Sequence, residues 1–160
     1  MVNEDQEFIE YEEFAKKMEN SYPRMFSGRY GGFAVGKGWW PLIEKLCGTI
    51  QRHVDWANDT RSALLISNPY NHKIPDECPQ VVVEQIKEKF GTLRFYYQGG
   101  DAYIQGAVSL AEDLTGNLCE DCGGLGKRRS GSWVRVLCDT HEAERNARIE
   151  EQARKDGLEL

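Results

Sequence analysis

The sequence predicts an α+β fold, with helices packed on a short antiparallel sheet and a C-terminal zinc module of treble-clef type. Three observations carry this expectation. Segments 4–19 and 41–59 repeat apolar residues at helical spacing, whereas segment 81–97 alternates them at strand spacing. Near the C-terminus two ligand-type pairs, "CEDC" and "CDTH", follow one another. The natural division is an α+β core over 1–116 and a zinc module with its C-terminal helix over 117–160.

The elements follow in order. Phe8, Tyr11, Ala15 and Met18 form one face of a first helix, and Glu and Lys fill the other. Glycines 28, 31, 32, 36 and 38 then break any long element, leaving room for a short strand around 33–35. Pro41 suits the first turn of a second helix, where its missing N–H is not needed. Leu42, Ile43, Leu46, Cys47, Ile50, Val54 and Ala57 make the stripe of that helix through Asp59. Asn58 to Gln80 is polar, is interrupted by Pro69, Pro75 and Pro79, holds His72, and reads as a long irregular connection. Val81, Val83 and Gln85 alternate with Val82, Glu84 and Ile86, and Leu93, Phe95 and Tyr97 alternate with Arg94 and Tyr96. Gly91-Thr92 lies between these runs, so they form a hairpin. Asp101 can cap a third helix whose apolar face is Ala102, Tyr103, Ala107, Leu110, Ala111 and Leu114, and Gly116 can stop it.

Composition narrows the function classes. The 160 residues are enough to bury a core. The formal net charge of −6 argues against a general nucleic-acid binder, which needs a surplus of Lys and Arg to neutralise phosphates. The acidic start, "MVNEDQEFIEYEEF", has no apolar segment of signal-peptide type, and no apolar run is long enough to span a membrane. Of the five cysteines, three sit in metal-type spacing and two, Cys47 and Cys78, have no partner signature. That usage fits a reducing cytosol.

The metal pattern is Cys119-x2-Cys122-x15-Cys138-x2-His141. Zinc takes four such donors in a tetrahedron. Gly123 and Gly124 allow the sharp turn that brings Cys119 and Cys122 to one ion. Cys138 and His141 stand three apart at the start of a helix expected over 139–155, so they face the same way. Between the pairs, "GKRRSGSWVRVL" reads as a hairpin turning at Ser130-Gly131. Four available protein ligands imply a closed, structural Zn2+ site, since catalytic zinc keeps a position open. A redox CxxC lacks its βαβ context here, and a zinc deaminase would need H-x-E and P-C-x-x-C. This chain has His53-Val54-Asp55 and Leu118 before Cys119.

Two further groups of residues can bind something. In "GGFAVGKGWWP" a glycine-rich backbone runs into a helix N-terminus, Lys37 adds charge, and Trp39 and Trp40 offer flat rings. It is not a P-loop, because Gly38 stands where Ser or Thr is required. With Arg94 and Tyr96 on the outer face of the hairpin, Lys37, Trp39 and Trp40 make a candidate ligand surface. The competing reading closes the core with the tryptophans. In the zinc hairpin, Lys127, Arg128, Arg129 and Arg135 near Trp133 make a candidate nucleic-acid face, opposed by Glu120, Asp121 and Asp139. No Ser/His/Asp or Cys/His catalytic set emerges from spacing, and His53 reads as a partly buried helix residue.

The stretches "QIKEKFGTLRFYY", "LAEDLTGNLCEDCG" and "WVRVLCDTH" resemble a group of small, uncharacterised proteins of bacteriophages, prophages and plasmids. The resemblance runs from about Gly36 to His141. It implies a bacterial host cytosol and a counter-defence role, in which a non-enzymatic protein occupies a host protein or sequesters a nucleotide-type ligand. The alternative is a nucleic-acid accessory protein using the basic hairpin. Neither reading involves a membrane.

Overall fold

The computed structural model describes residues 4–68, 70, 73–131 and 133–157. Its helices are α1 (Glu4–Ser21), α2 (Trp40–Ser67), α3 (Ala102–Thr115) and α4 (Asp139–Lys155). Its strands are β1 (Phe33–Ala34), β2 (Val82–Lys89), β3 (Thr92–Gln98), β4 (Lys127–Arg129) and β5 (Arg135–Leu137). The fold is α+β, as the periodicity predicts. The main sheet runs β1-β2-β3 and is mixed, with β1 parallel to β2 and β2 antiparallel to β3. β4 and β5 form a separate antiparallel ribbon.

The β2–β3 hairpin turns on Phe90 and Gly91, both at positive φ (56° and 83°). That pair of conformations matches the right-handed twist of the strands it joins. β2 does not keep the simple alternation expected of it. Its register slips between Val83 and Gln85. The extra residue puts Val83 and Ile86, three apart, into the core with Val81.

Helix α2 runs eight residues beyond the end expected at Asp59, reaching Ser67. Neither glycine nor proline occurs in 60–67, and Arg, Ala and Leu there are good helix formers. The connection expected to begin at Asn58 therefore starts after Ser67 and folds back along the helix. Asn58 makes two hydrogen bonds to the backbone of Cys78, and Arg61 donates to the carbonyl of Pro75. Pro69 and His72 lie outside the described residues.

α3 also turns differently from the expected face. It buries Ile104, Val108, Ala111 and Thr115 and leaves Tyr103, Leu110 and Leu114 exposed. Polar satisfaction sets this rotation. The N–H groups of Leu93 and Phe95 on β3 donate to Thr115 Oγ1 and Glu112 Oε1, both at 2.9 Å, so α3 must present those side chains to the sheet. The Asp101 cap forms as expected, its Oδ1 accepting from the backbone of Tyr103 and Ile104.

The core joins α1, the 22–35 segment, α2, the sheet and α3. Trp39 is fully buried within it, and its Nε1 donates to the carbonyl of Leu118 at 2.9 Å. Trp40 is half-buried and stacks on Phe14, with ring centroids 4.7 Å apart. Trp39 thus pins the core to the chain just before Cys119. Trp39→Ala should cost about 3–5 kcal/mol, the range for emptying a large aromatic site. Trp40→Ala should cost less, and chemical denaturation of the two variants checks the order.

Candidate metal centre

The sequence-distant pairs meet at the C-terminal end of the molecule. Cys119, Cys122, Cys138 and His141 present donor atoms that lie within 4.8 Å of one another. The first pair sits on a tight turn. The Cys119 N–H donates to Gly124 O at 2.7 Å, the Gly123 N–H returns to Cys119 O at 2.8 Å, and Gly123 takes φ +73°. A side chain is strained in that conformation, so glycine suits it. The second pair opens α4, with Cys138 as the N-cap residue. His141 Nδ1 stands 3.1 Å from Cys138 Sγ and 3.4 Å from Cys119 Sγ. Turn, ribbon and helix follow one another as expected, and β5 is tied to the turn by the Glu120 N–H bonding Val136 O at 2.9 Å.

The electrostatics favour a thiolate at the helix end. The backbone N–H of His141 and its neighbouring donors bring the Cys138 thiol down to about 7. At Cys122 the Gly124 N–H favours the thiolate, but desolvation and the adjacent thiols outweigh it, so the thiol stays above its ordinary range. A cation at the centre would resolve this crowding of sulfurs, because metal binding displaces their protons. Three sulfurs and one imidazole therefore fit a borderline-soft metal ion, and four protein donors complete a tetrahedron without solvent.

The glycine-rich loop has a different task from anion binding. The N–H of Gly36 donates to Glu120 Oε1 at 3.3 Å, and that of Gly38 donates to Glu120 O at 2.8 Å. A Cβ on Gly36 would collide with Glu120, and one on Gly38 would stand 2.6 Å from the backbone nitrogen of Cys122. Gly36 itself has ordinary extended backbone, φ −68°. Glycine is required there by space, so that the loop can lie against the cysteine turn.

The candidate ligand residues are accordingly dispersed. Trp39 is in the core and offers no surface. Lys37 pairs with Glu10 at 3.1 Å, and it and Trp40 line a cleft of about 440 Å³ beside His141. Arg94 and Tyr96 lie elsewhere, on the outer face of the hairpin. Arg94 Nη1 donates to Thr92 Oγ1 and to Leu93 O, while the ammonium of Lys87 sits 5.1 Å from the Tyr96 ring centre.

The basic hairpin is likewise largely neutralised. Lys127 and Arg129 both reach Asp139, and Arg135 bridges Glu120 and Asp121. Of the four basic residues only Arg128 makes no ion pair among the described residues. Trp133 is exposed but donates its Nε1 to Glu88 at 3.1 Å, tying the ribbon to the β2–β3 hairpin.

Spacing gave no hint of two features. Glu120 is a buried carboxylate shared by the glycine loop and Arg135. Cys78, which lacks a partner signature, meets His53 and Asp101. Both depend on contacts between distant segments, so periodicity and motif spacing carry no signal for them. Comparison with protein-family models, curated proteins and solved structures finds no match to this chain. Among the described residues no helix is long and apolar enough to cross a membrane.

Two outcomes test the centre. Cys138→Ser should release the bound ion and lower the Tm, as read by elemental analysis and calorimetry; a chelator should do the same to the wild type. Arg135→Ala should cost about 2 kcal/mol by stranding the Glu120 charge, below the ~3–5 of a fully buried pair because Arg135 keeps some solvent contact. Urea unfolding measures that cost.

Proposed function

We propose that the protein is a non-enzymatic binding protein whose C-terminal treble-clef-type module holds a structural Zn2+. It would capture a host protein through an apolar groove between α2 and α3. The observation that carries this reading is the groove itself. It has a volume of about 560 Å³ and is lined by Leu42, Leu46, Tyr103, Ala107, Leu110 and Leu114 among others. Tyr103, Leu110 and Leu114 remain 55%, 61% and 45% exposed. Apolar side chains grouped on one face, rather than scattered singly, mark an interaction site.

Gly106 strengthens the case. It lies within α3, on the groove lining, and a Cβ there would meet nothing within 4 Å. Mid-helix glycine costs about 1 kcal/mol relative to alanine. Packing within the chain does not require it, whereas a partner backbone approaching α3 closely would. Lys45 is the one charged residue of the lining. The fitting occupant is therefore an amphipathic helix of the partner, with apolar residues at i, i+3 or i+4 and an acidic residue opposite Lys45.

The resemblance to phage and plasmid proteins supplies the setting, a counter-defence role in a bacterial host cytosol. Sequestration of a nucleotide-type anion has less support, because the loop N–H groups are already used by Glu120. The nucleic-acid alternative rests on Arg128 and the exposed ring of Trp133.

A photoreactive residue at position 114 should crosslink one host protein in cells, and a synthetic helix from that protein should bind the purified chain. Leu110→Asp should leave the Tm within error and weaken that binding about 30-fold, the effect of losing an interface hot spot. Crosslinks only to a second copy of this chain, or a peptide Kd unchanged by Leu110→Asp, would overturn the reading.

A further inference from the structure

We infer that His53, Cys78 and Asp101 form a second metal site, of the Zn2+ class, separate from the Cys3His centre. The three residues come from different segments: α2, the connection that follows it, and the cap of α3. His53 Nε2, Cys78 Sγ and an Asp101 carboxylate oxygen lie within 4.8 Å of one another. An imidazole, a thiolate and a carboxylate are the three donor types that zinc accepts.

Each donor is held from behind. Asn58 grips the backbone of Cys78 twice, donating from Nδ2 to its carbonyl and accepting its N–H on Oδ1, both at 2.9 Å. The ring of His53 stacks on Tyr103, with centroids 4.2 Å apart and planes 19° from parallel. Asp101 uses Oδ1 to cap α3 and leaves Oδ2 to face His53. Supports of this kind orient metal ligands and keep the geometry of a site.

Distances bear on the fit. His53 Nε2 and Asp101 Oδ2 are 2.7 Å apart. Two such donors on a tetrahedral zinc stand about 3.3 Å apart, from metal–ligand lengths of about 2.0–2.2 Å. The ion thus requires the two donors to move roughly 0.6 Å further apart. The Cys3His centre shows the same contraction, with Cys138 Sγ and His141 Nδ1 at 3.1 Å against about 3.5 Å around zinc. Cys78 is 3% exposed, whereas the Asp101 side chain is 39% exposed, so the cluster is walled on the thiol side and open to solvent on the carboxylate side. Three protein donors leave one tetrahedral position unfilled by protein, unlike the four-donor Cys3His centre.

The test is metal counting on the full chain. Purified protein equilibrated with micromolar Zn2+ and then desalted should carry two ions per chain. His53→Ala and Cys78→Ser should each carry one while keeping the wild-type circular dichroism. Asp101→Asn keeps a capping oxygen for α3 and should weaken the second ion at least tenfold in chelator competition. A readout on the wild type alone guards against variants that misfold. In a Co2+ titration of the metal-free chain, the second equivalent should add a further thiolate-to-cobalt absorption band. One ion per wild-type chain, two ions retained in either His53→Ala or Cys78→Ser, or a second Co2+ equivalent with no thiolate band would each overturn the site.

Discussion

Glu120 is the contact on which the arrangement of this molecule depends. It is 6% exposed, yet it carries a carboxylate. One carboxylate oxygen accepts from the N–H of Gly36, and the other accepts from Arg135 Nε at 2.9 Å. Its backbone carbonyl accepts from Gly38, and its N–H donates to Val136. A single residue therefore joins the core loop, the cysteine turn and the β4–β5 ribbon. A buried carboxylate tolerates this position when its oxygens are hydrogen-bonded, and here each oxygen has a donor.

The consequences run in both directions along the chain. Because Gly36 and Gly38 lie against the cysteine turn, Trp39 enters the core at a fixed height and hydrogen-bonds Leu118. Pro41 follows at the start of α2, which carries His53 and Asn58 to the connection that returns through Cys78. The C-terminal module also makes a second attachment, through Trp133 and Glu88, to the hairpin. A segment with three-residue strands and few buried apolar residues has little core of its own. These attachments, together with an ion held by the four donors, would take the place of that core.

Charge distribution explains why the sequence-level binding residues lose their partners of choice. In a chain of net charge −6, cationic side chains find carboxylates close by. Lys37 meets Glu10, Arg129 meets Asp139, and Arg135 meets Glu120 and Asp121. Leu110 and Leu114 on the outer side of α3 stay exposed. That exposure follows from the edge of β3, whose N–H groups take Thr115 and Glu112 and so fix which side of the helix faces inward.

The sequence by itself determined the elements and the four candidate metal donors. Helical and strand periodicity, the Asp101 cap, Pro41 and the Cys-x2-Cys and Cys-x2-His pairs are short-range signals, and each acts within a few residues of where it is written. The length of α2, the slip in β2 and the face of α3 were decided by tertiary structure. Each depends on a hydrogen-bond partner or a packing surface supplied from far along the chain. The same holds for the role of the glycine loop. Spacing shows that glycine permits many conformations, but only the folded chain shows that Gly36 and Gly38 are small because the backbone of the cysteine turn lies against them. His53 and Asp101 are 48 residues apart, and no local pattern could pair them. They meet because α2 and the start of α3 are packed together, and packing is a property of the whole chain.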